Sequence, residues 1–223
     1  MRESLLEGTA VEAYTRNLRA PYMLDRASVL AARSLRLPEE GIILDACAAP
    51  GGKSLVIASL MGRGVRLLAN ELSSQRRRRL VKVLDEHLEG ERRSRVTVSG
   101  FDAAALGSRR SEQGRFGGIL LDAPCSSERH VLRSPKALEE WTPARPRFLA
   151  RRQWSLLSAA FLLLRQGGSL VYVTCALSEE ENDLVAARLI KKYGDELMTD
   201  EPDFEEGEKT RYGRLILPDR SGG

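Results

Sequence analysis

The chain has few cysteines, no long apolar run and no apolar leader. Its three cysteines among 223 residues are too few, and odd in number, for a disulfide framework, so reduced thiols in a reducing compartment are indicated. No apolar stretch approaches the roughly 20 residues of a membrane span. Acidic Glu3 and Glu7 interrupt the first residues, which argues against a secretory signal. We therefore expect a cytoplasmic protein without membrane contact, or a mitochondrial matrix protein if the source is eukaryotic.

The length of the chain indicates one domain, and its charge is suited to binding a polyanion. A chain of 223 residues, 42% of them hydrophobic, fits a single core, so residues 1–223 are predicted to form one domain with a short helical lead-in over 1–37. The net charge is +4 and the pI is about 9.1. Arginines are bunched within residues 76–79, 92–95 and 145–152. Such bunching suits RNA, although a solvated helix face explains any one cluster equally well.

Apolar runs alternate with segments of helical periodicity. Strands are predicted at residues 42–44, 65–69, 95–98, 118–121 and 169–173, with a late one at 215–217. Helices are predicted at 24–37, 54–61, 73–87, 148–164 and 179–192, and polar loops at 106–116 and 133–146. This alternation predicts an α/β fold with a doubly wound, mostly parallel sheet and helices on both faces. Ligands of such sheets bind outside the carboxyl ends of the strands. The residues predicted to share that edge are Asp45, Glu71, Asp102, Asp122 and Cys175.

A glycine-rich turn follows the first predicted strand and precedes a helix. It consists of Cys47, Ala48, Ala49, Pro50, Gly51, Gly52 and Lys53. Glycines let a backbone approach a ligand, and the free amides of a helix start face its negative groups. Glu71 could accept hydrogen bonds from ribose hydroxyls, and Asp102 from an adenine amino group. The turn lacks the first glycine of a P-loop and the pattern G-x-G-x-x-G. S-adenosylmethionine remains as the favoured cofactor for this turn. The alternative is a plain tight turn that binds no cofactor.

Cys125 and Cys175 follow the fourth and fifth predicted strands. A cysteine thiolate can attack C6 of a cytosine ring, which turns C5 into a nucleophile able to accept a methyl group. Such a thiol needs a lowered pKa or a nearby base, and the positive charge of Lys53 is expected close by. Asp122 would stabilise the charge that builds on the ring. The residues alone do not decide which cysteine attacks, and a buried packing role is the alternative for each thiol, Cys47 above all.

Five sequence blocks together resemble the NSUN (Sun/RsmB-like) family of RNA 5-methylcytosine methyltransferases. They are LDACAAPGGKS, LLANELS, GFDA, ILLDAPCSS and LVYVTCALSEEEND, in this order over residues 44–183. The resemblance implies a Rossmann-like methyltransferase that uses S-adenosylmethionine on RNA, either rRNA or tRNA, without a metal. It implies that residues 47–53 wrap the methionine part of the cofactor, that Glu71 holds the ribose and that Asp102 holds the adenine. It further implies that Asp122 lines both cofactor and target base, that Cys175 is the nucleophile, and that Cys125 helps to release the product.

The chain departs from the family in two places. Many members read Pro-Cys-Ser-Gly-x-Gly, whereas Ser127, Glu128, Arg129 and His130 stand here, which resembles the branch of mitochondrial rRNA and tRNA enzymes. His130 is expected to be a surface or structural residue. Members also continue past residues 215–218 into a final apolar strand, so we expect a truncated C-terminus and an exposed sheet edge.

Two further expectations concern partners and rival functions. The lead-in is too short for a separate RNA-binding domain, so the arginine surface of a monomer, or a protein partner, would supply the affinity for RNA. The alternatives to an RNA methyltransferase are a DNA cytosine methyltransferase and a non-catalytic RNA-binding or ribosome-assembly factor that retains the fold.

Overall fold

The computed structural model describes residues 18–127, 131, 135–139, 141–142 and 144–217. Its central sheet has five strands in the order β3-β2-β1-β4-β5, and every neighbouring pair is parallel. The strands are β1 (Gly41–Asp45), β2 (Val65–Asn70), β3 (Val96–Ser99), β4 (Phe116–Asp122) and β5 (Leu164–Val173). The predicted strands, their parallel arrangement and the α/β fold class are confirmed.

Helices connect successive strands, as parallel pairing requires. They are α1 (Arg26–Arg33), α2 (Gly52–Leu60), α3 (Ser74–His87), α4 (Gly90–Ser94), α5 (Ala103–Leu106), α6 (Pro135–Glu139), α7 (Ala144–Leu163) and α8 (Asp183–Tyr193). Short 3-10 helices span Arg110–Glu112, Glu179–Glu181 and Gly194–Glu196. None of the helices described within residues 18–217 is long and apolar enough to cross a membrane.

The two faces of the sheet bury separate apolar clusters. Because side chains alternate along a strand, Ile43 packs with the helices α2 and α3, while its neighbour Leu44 packs with α7 and α8. On β4, Leu120 joins the first cluster and Leu121 the second. Removing both apolar faces from water is the main driving force for this layered fold. The predicted double winding is therefore confirmed.

Several predicted boundaries are wrong. The loop predicted over 133–146 contains α6 and the start of α7, because proline is tolerated in the first helical turn; Pro135 begins one of these helices. The loop predicted over 106–116 contains a 3-10 helix and the first residue of β4. The lead-in helix spans only Arg26–Arg33, since the Asp25 side chain caps it by accepting from the Ser28 amide.

The end of the sheet also differs from the prediction. β5 begins five residues earlier than expected, and its register with β4 shifts between Phe116 and Gly118. The late strand appears as Arg214–Leu215 (β7), which pairs antiparallel with Glu208–Lys209 (β6) in a separate ribbon. β5 is thus an edge strand of the described sheet. Predictions about His130, the first part of the lead-in and the last six residues lie outside the described residues.

Candidate active site

The carboxyl edge of the sheet collects the predicted site residues. Asp45 ends β1 and Asp122 ends β4, while Glu71 directly follows β2. Cys175 lies two residues beyond β5 and Asp102 three residues beyond β3. Cys175, Lys53 and Asp122 all line one cavity of about 1630 Å³, which also runs along β5. Asp45, Glu71 and Asp102 are not among the residues that line this cavity, so a single crevice shared by all the predicted site residues stays a prediction.

Two free thiols meet at this edge. The Sγ atoms of Cys125 and Cys175 lie 2.8 Å apart, and the Cys175 amide donates to Cys125 Sγ at 3.3 Å. The hydrogen bond from the Cys125 thiol lowers the pKa of Cys175 to about 6, although burial works in the opposite direction. The same hydrogen bond, together with burial, raises the pKa of Cys125 well above its ordinary value. The directions of these two pKa shifts favour ionisation of Cys175 before Cys125.

An ion pair stands beside the thiols. Lys53 Nζ lies 2.9 Å from Asp122 Oδ2, with both side chains largely shielded from water. Burial opposes the charge on Lys53, but the Asp122 carboxylate outweighs it, so the pKa of Lys53 is raised and the ammonium stays charged. Toward Cys175 the two partners act oppositely: the Asp122 charge raises the pKa of that thiol and the Lys53 charge lowers it. The pair sets the local electrostatics without adding a net charge.

The glycine-rich turn is held in place by its own protein neighbours. Gly51 has φ +124°, a conformation open to glycine but rarely to other residues. A Cβ atom at Gly52 would lie 2.4 Å from Leu24 Cδ2, so this glycine admits the N-terminal segment. The Ala49 carbonyl accepts from Arg76 Nη2 at 2.8 Å. Ala48 and Ala49 are buried and Pro50 is exposed.

Cys47 belongs to this turn but takes no part in the thiol pair. Its side chain packs against the apolar cluster beneath α7. Burial raises the pKa of Cys47 to about 12, so the thiol stays protonated. This agrees with the interpretation of Cys47 as a packing residue.

Glu71 has the side-chain environment of a ligand-binding residue. Its side chain is almost completely buried, and Oε1 accepts from the Ser73 amide at 2.9 Å. Arg76 Nη1 lies 3.4 Å from Oε2, yet that buried oxygen has no hydrogen-bond partner among the described residues. A buried acceptor without a partner is costly and calls for an explanation. A ligand hydroxyl at this position would satisfy it, which fits the ribose of the predicted cofactor.

Asp102 has a protein partner that the sequence did not reveal. Arg152 Nη2 donates to its Oδ1 at 2.6 Å, and the Ala104 amide donates to the same atom at 3.0 Å. The hydrogen bond from Arg152 lowers the pKa of Asp102. Arg152 belongs to the arginine cluster of residues 145–152, which was predicted to suit RNA. In the structure this side chain instead bonds to Asp102. Nothing in a linear sequence pairs two residues that lie 50 positions apart.

A buried polar network around Glu181 was not predicted from the sequence. Glu181 is fully buried and accepts from the Ser126 amide at 3.0 Å, from the Ser126 hydroxyl, and from Gln153 Nε2 at 2.7 Å. The Thr174 hydroxyl donates to Asn182 Oδ1 at 2.6 Å. These bonds fasten the loop after β4 to the loop after β5. Three consecutive acids in the sequence were the only available signal, and they do not show which one turns inward.

The arginine clusters are spread over the whole molecule. Arg92, Arg93 and Arg95 precede β3 and so lie at the amino edge of the sheet, away from the thiols. Arg77 Nη1 donates to the Glu71 carbonyl at 2.8 Å. The first turns of α7 begin at the carboxyl edge and carry the exposed Arg145, and further along Arg147 and Arg151 are exposed as well. These three arginines form the α7 cluster, and Arg76, Arg78 and Arg79 on α3 are also exposed near a helix start that follows the carboxyl edge.

Fold and site together define a Rossmann-like α/β domain with two neighbouring cysteines at the carboxyl edge of its sheet. The profile of the family described as 16S rRNA methyltransferase RsmB/F matches residues 32–222. The chain belongs to this family, and the predicted relationship to the NSUN (Sun/RsmB-like) proteins is confirmed. The resemblance to the mitochondrial branch stays a prediction.

Named relatives and a solved structure agree with this assignment. Ribosomal RNA small subunit methyltransferase F of Aeromonas salmonicida (strain A449) is 39% identical over 183 residues, which cover 80% of this chain and 37% of the relative. Its namesake from Escherichia coli O139:H28 is 41% identical over 153 residues, covering 69% and 31%. NSun6 from Pyrococcus horikoshii, solved with SFG, superposes with a TM-score of 0.74 at 29% identity, covering 96% of this chain and 52% of that one. The chain thus spans about a third of the length of the named methyltransferases.

Proposed function

We propose that this chain is the catalytic core of an enzyme that transfers a methyl group from S-adenosylmethionine to C5 of cytosine in RNA, and that residues 1–223 act as one domain. The observation that carries the proposal is the Cys125–Cys175 pair, with its sulfurs 2.8 Å apart and Cys175 as the ionised member. Small-subunit rRNA is the favoured substrate, ahead of tRNA, because the named relatives are small-subunit rRNA methyltransferases.

The residues around the glycine-rich turn suit S-adenosylmethionine. The buried and unpartnered Oε2 atom of Glu71 supports a role in holding the ribose. Residues 47–53 would hold the methionine part, and Asp102, oriented by Arg152, would hold the adenine. When bound, S-adenosylmethionine supplies the methyl group as an electrophilic carbon on a sulfonium and is released as S-adenosylhomocysteine.

Cys175 provides the nucleophile in this proposal. Its thiolate donates an electron pair to C6 of cytosine, a sulfur–carbon bond forms, and the C5–C6 π electrons move toward C5 and the ring. Asp122 lines the same cavity and, in its protonated form, would stabilise the charge on the ring by donating a hydrogen bond to N3. After methylation, a base removes the C5 proton while the sulfur–C6 bond breaks and its electron pair returns to Cys175.

Cys125 has the position to assist the release step. It keeps its proton because it donates to the Cys175 sulfur. Once that sulfur is bonded to C6 it carries no negative charge, so this cause of the raised pKa disappears. Cys125 then loses its proton to solvent, and its thiolate, or a water molecule beside it, takes the C5 proton. Without Cys125 the adduct would persist.

The α7 cluster is the proposed contact with RNA. Arginine guanidinium groups bind phosphates and stack on bases, and Arg145, Arg147 and Arg151 are exposed in the first turns of α7, the helix that follows the loop after β4. A cytosine must leave its stack before a thiolate can reach C6, so single-stranded or splayed RNA is the expected form. We expect a monomer, with a protein partner supplying RNA affinity if this surface is too small alone.

A methyl-transfer assay tests the proposal. The purified chain would be incubated with radiolabelled S-adenosylmethionine and either a small-subunit rRNA transcript, tRNA or single-stranded DNA. We expect label in C5 of cytosine in rRNA, none with Cys175→Ala, and unchanged transfer with the distant control Ser108→Ala. Transfer to DNA but not to RNA would exclude RNA as the substrate. Binding of the cofactor without transfer to any of the three would favour a non-catalytic RNA-binding factor.

A further inference from the structure

Ser127 lies beside both sulfurs of the cysteine pair. Its Oγ atom is 3.1 Å from Cys175 Sγ and 3.6 Å from Cys125 Sγ. We propose that the Ser127 hydroxyl is a third catalytic group of this site and donates a hydrogen bond that stabilises the Cys175 thiolate. The inference rests on the proposed function, because it assigns a role in the same cysteine chemistry.

The hydroxyl has one proton and three acceptors within reach. Besides the two sulfurs, the Cys125 carbonyl oxygen lies 3.5 Å away, at the outer limit for a hydrogen bond. An ionised acceptor makes a stronger hydrogen bond than a neutral one. Cys175 is the ionised member of the pair, so the proton of Ser127 points to Cys175 Sγ. The thiolate then receives two donors, the Cys125 thiol and the Ser127 hydroxyl.

The backbone of Ser127 is in an unfavourable conformation. Its φ is +55°, and it is the only non-glycine residue with positive φ among the residues that the structure describes. The left-handed region is easily reached by glycine but costs free energy for a residue with a Cβ atom. Such conformations persist only when the surroundings impose them, and they cluster at functional sites. A glycine would relieve the backbone but would bring no hydroxyl to the sulfurs.

The neighbouring residue fixes this conformation. The Ser126 amide and hydroxyl both donate to the fully buried carboxylate of Glu181. Gln153 Nε2 donates to the same carboxylate at 2.7 Å and to the Pro124 carbonyl at 3.0 Å. These bonds hold the backbone on both sides of Cys125. They thereby position the Ser127 hydroxyl next to the two sulfurs.

The remaining groups that face Cys175 cannot replace this hydrogen bond. Among the residues that the structure describes they include Cys125, Asp122 on β4 and Lys53 on α2, and the two charged groups act in opposite directions on the thiol. Serine does not titrate in the working range, so its contribution persists at every pH. It is also insensitive to salt, unlike the contribution of the Lys53 charge.

The test measures the ionisation of Cys175 without RNA or cofactor. The rate of iodoacetamide alkylation at Cys175, followed by peptide mass spectrometry from pH 5 to 9, would be compared for the parent chain, Ser127→Ala and Ser127→Gly. Ser178→Ala is the control, because this half-buried serine lies on the loop after β5 and its hydroxyl donates to Glu180 rather than to a sulfur. The parent midpoint is expected near pH 6. Both variants should shift it upward and slow alkylation at pH 6 about tenfold, the effect of losing one hydrogen bond to a charged group.

The two variants separate the hydroxyl from the backbone. Glycine removes the conformational penalty and alanine keeps it, so the melting temperature should be higher for Ser127→Gly than for Ser127→Ala, while both midpoints move upward together. An unchanged midpoint in Ser127→Gly would overturn the proposal, since that variant retains a relaxed loop. An upward shift without any methyl transfer by the parent chain would sink the proposed function but leave the role of Ser127 at the thiol intact.

Discussion

The Sγ atoms of Cys125 and Cys175 lie 2.8 Å apart, although 50 residues separate them in the chain. The sheet register explains this contact. Asp122 pairs with Val173 where β4 and β5 end, and the two cysteines lie three and two residues beyond that pair. The parallel strands β4 and β5 therefore place both thiols at one point of the carboxyl edge. The buried carboxylate of Glu181 then holds the two loops together.

Replacing Glu71 by glutamine should weaken cofactor binding. The change keeps the shape but removes the negative charge that would accept from ribose hydroxyls, and a hydrogen bond to a charged group contributes about 1.5–3 kcal/mol. We expect the Kd for S-adenosylmethionine to rise tenfold or more in isothermal titration calorimetry. Glu86→Gln, an exposed residue paired with Lys82, is the control. An unchanged Kd in Glu71→Gln would place the ribose elsewhere.

Gly51→Ala should destabilise the fold through a strained backbone conformation and a tight contact of the new side chain. At φ +124° an alanine is strained, and its Cβ atom would lie 3.0 Å from Val83 Cγ1. The expected loss in the free energy of unfolding is about 1–3 kcal/mol in urea titrations. Gly62→Ala makes the same substitution where φ is not positive and the nearest contact is 4.0 Å away. Equal stability of the two variants would contradict the proposed strain.

Glu181→Ala should both destabilise the chain and separate the thiols. It leaves the buried Ser126 and Gln153 donors without their acceptor, at a cost of about 3 kcal/mol. Phenylarsine oxide, which bridges two adjacent thiols, should bind the parent chain and bind the variant more weakly. Glu180→Ala changes an exposed acid on the same 3-10 turn and should affect neither measurement. Tight arsenical binding by Glu181→Ala would show that the thiols meet without this network.

The sequence predicted the strands and the shared edge because these depend on local apolar runs and on a general property of parallel sheets. It predicted Asp45, Asp122 and Cys175 at that edge for the same reason. It could not predict the Arg152–Asp102 contact or the inward turn of Glu181, because both depend on how α7 packs on the sheet. The early start of β5 was missed because Arg165, Gln166 and Gly167 are polar or flexible. Leu164 pairs with Phe116 and Ser169 with Gly118, and these three residues span the register shift between the two pairs.

Asp45 should make stability depend on pH. Burial raises the pKa of its carboxyl from the usual 3.8 to about 7, so between these values the folded chain holds a proton that the unfolded chain releases. The resulting stabilisation is complete below pH 3.8 and is lost as the pH rises through about 7. Asp45→Asn keeps an acceptor for the Ser54 hydroxyl but does not titrate.

The comparison of these two chains gives the sign of the effect. In urea titrations, the free energy of unfolding of Asp45→Asn minus that of the parent should increase from pH 4 to pH 7 and stay level above pH 8. A difference that does not change with pH would mean that this carboxyl ionises in the folded chain as it does in water.

The most direct measurement traps the covalent bond between the chain and its substrate. Cys125→Ala would be incubated with S-adenosylmethionine and small-subunit rRNA, the complex digested, and the cross-linked peptide identified by mass spectrometry. We predict a stable protein–RNA adduct whose cross-linked residue is Cys175, and no adduct in the double variant that also carries Cys175→Ala. An adduct at Cys125 in Cys175→Ala, with continued methyl transfer, would contradict the assignment of Cys175 as the nucleophile.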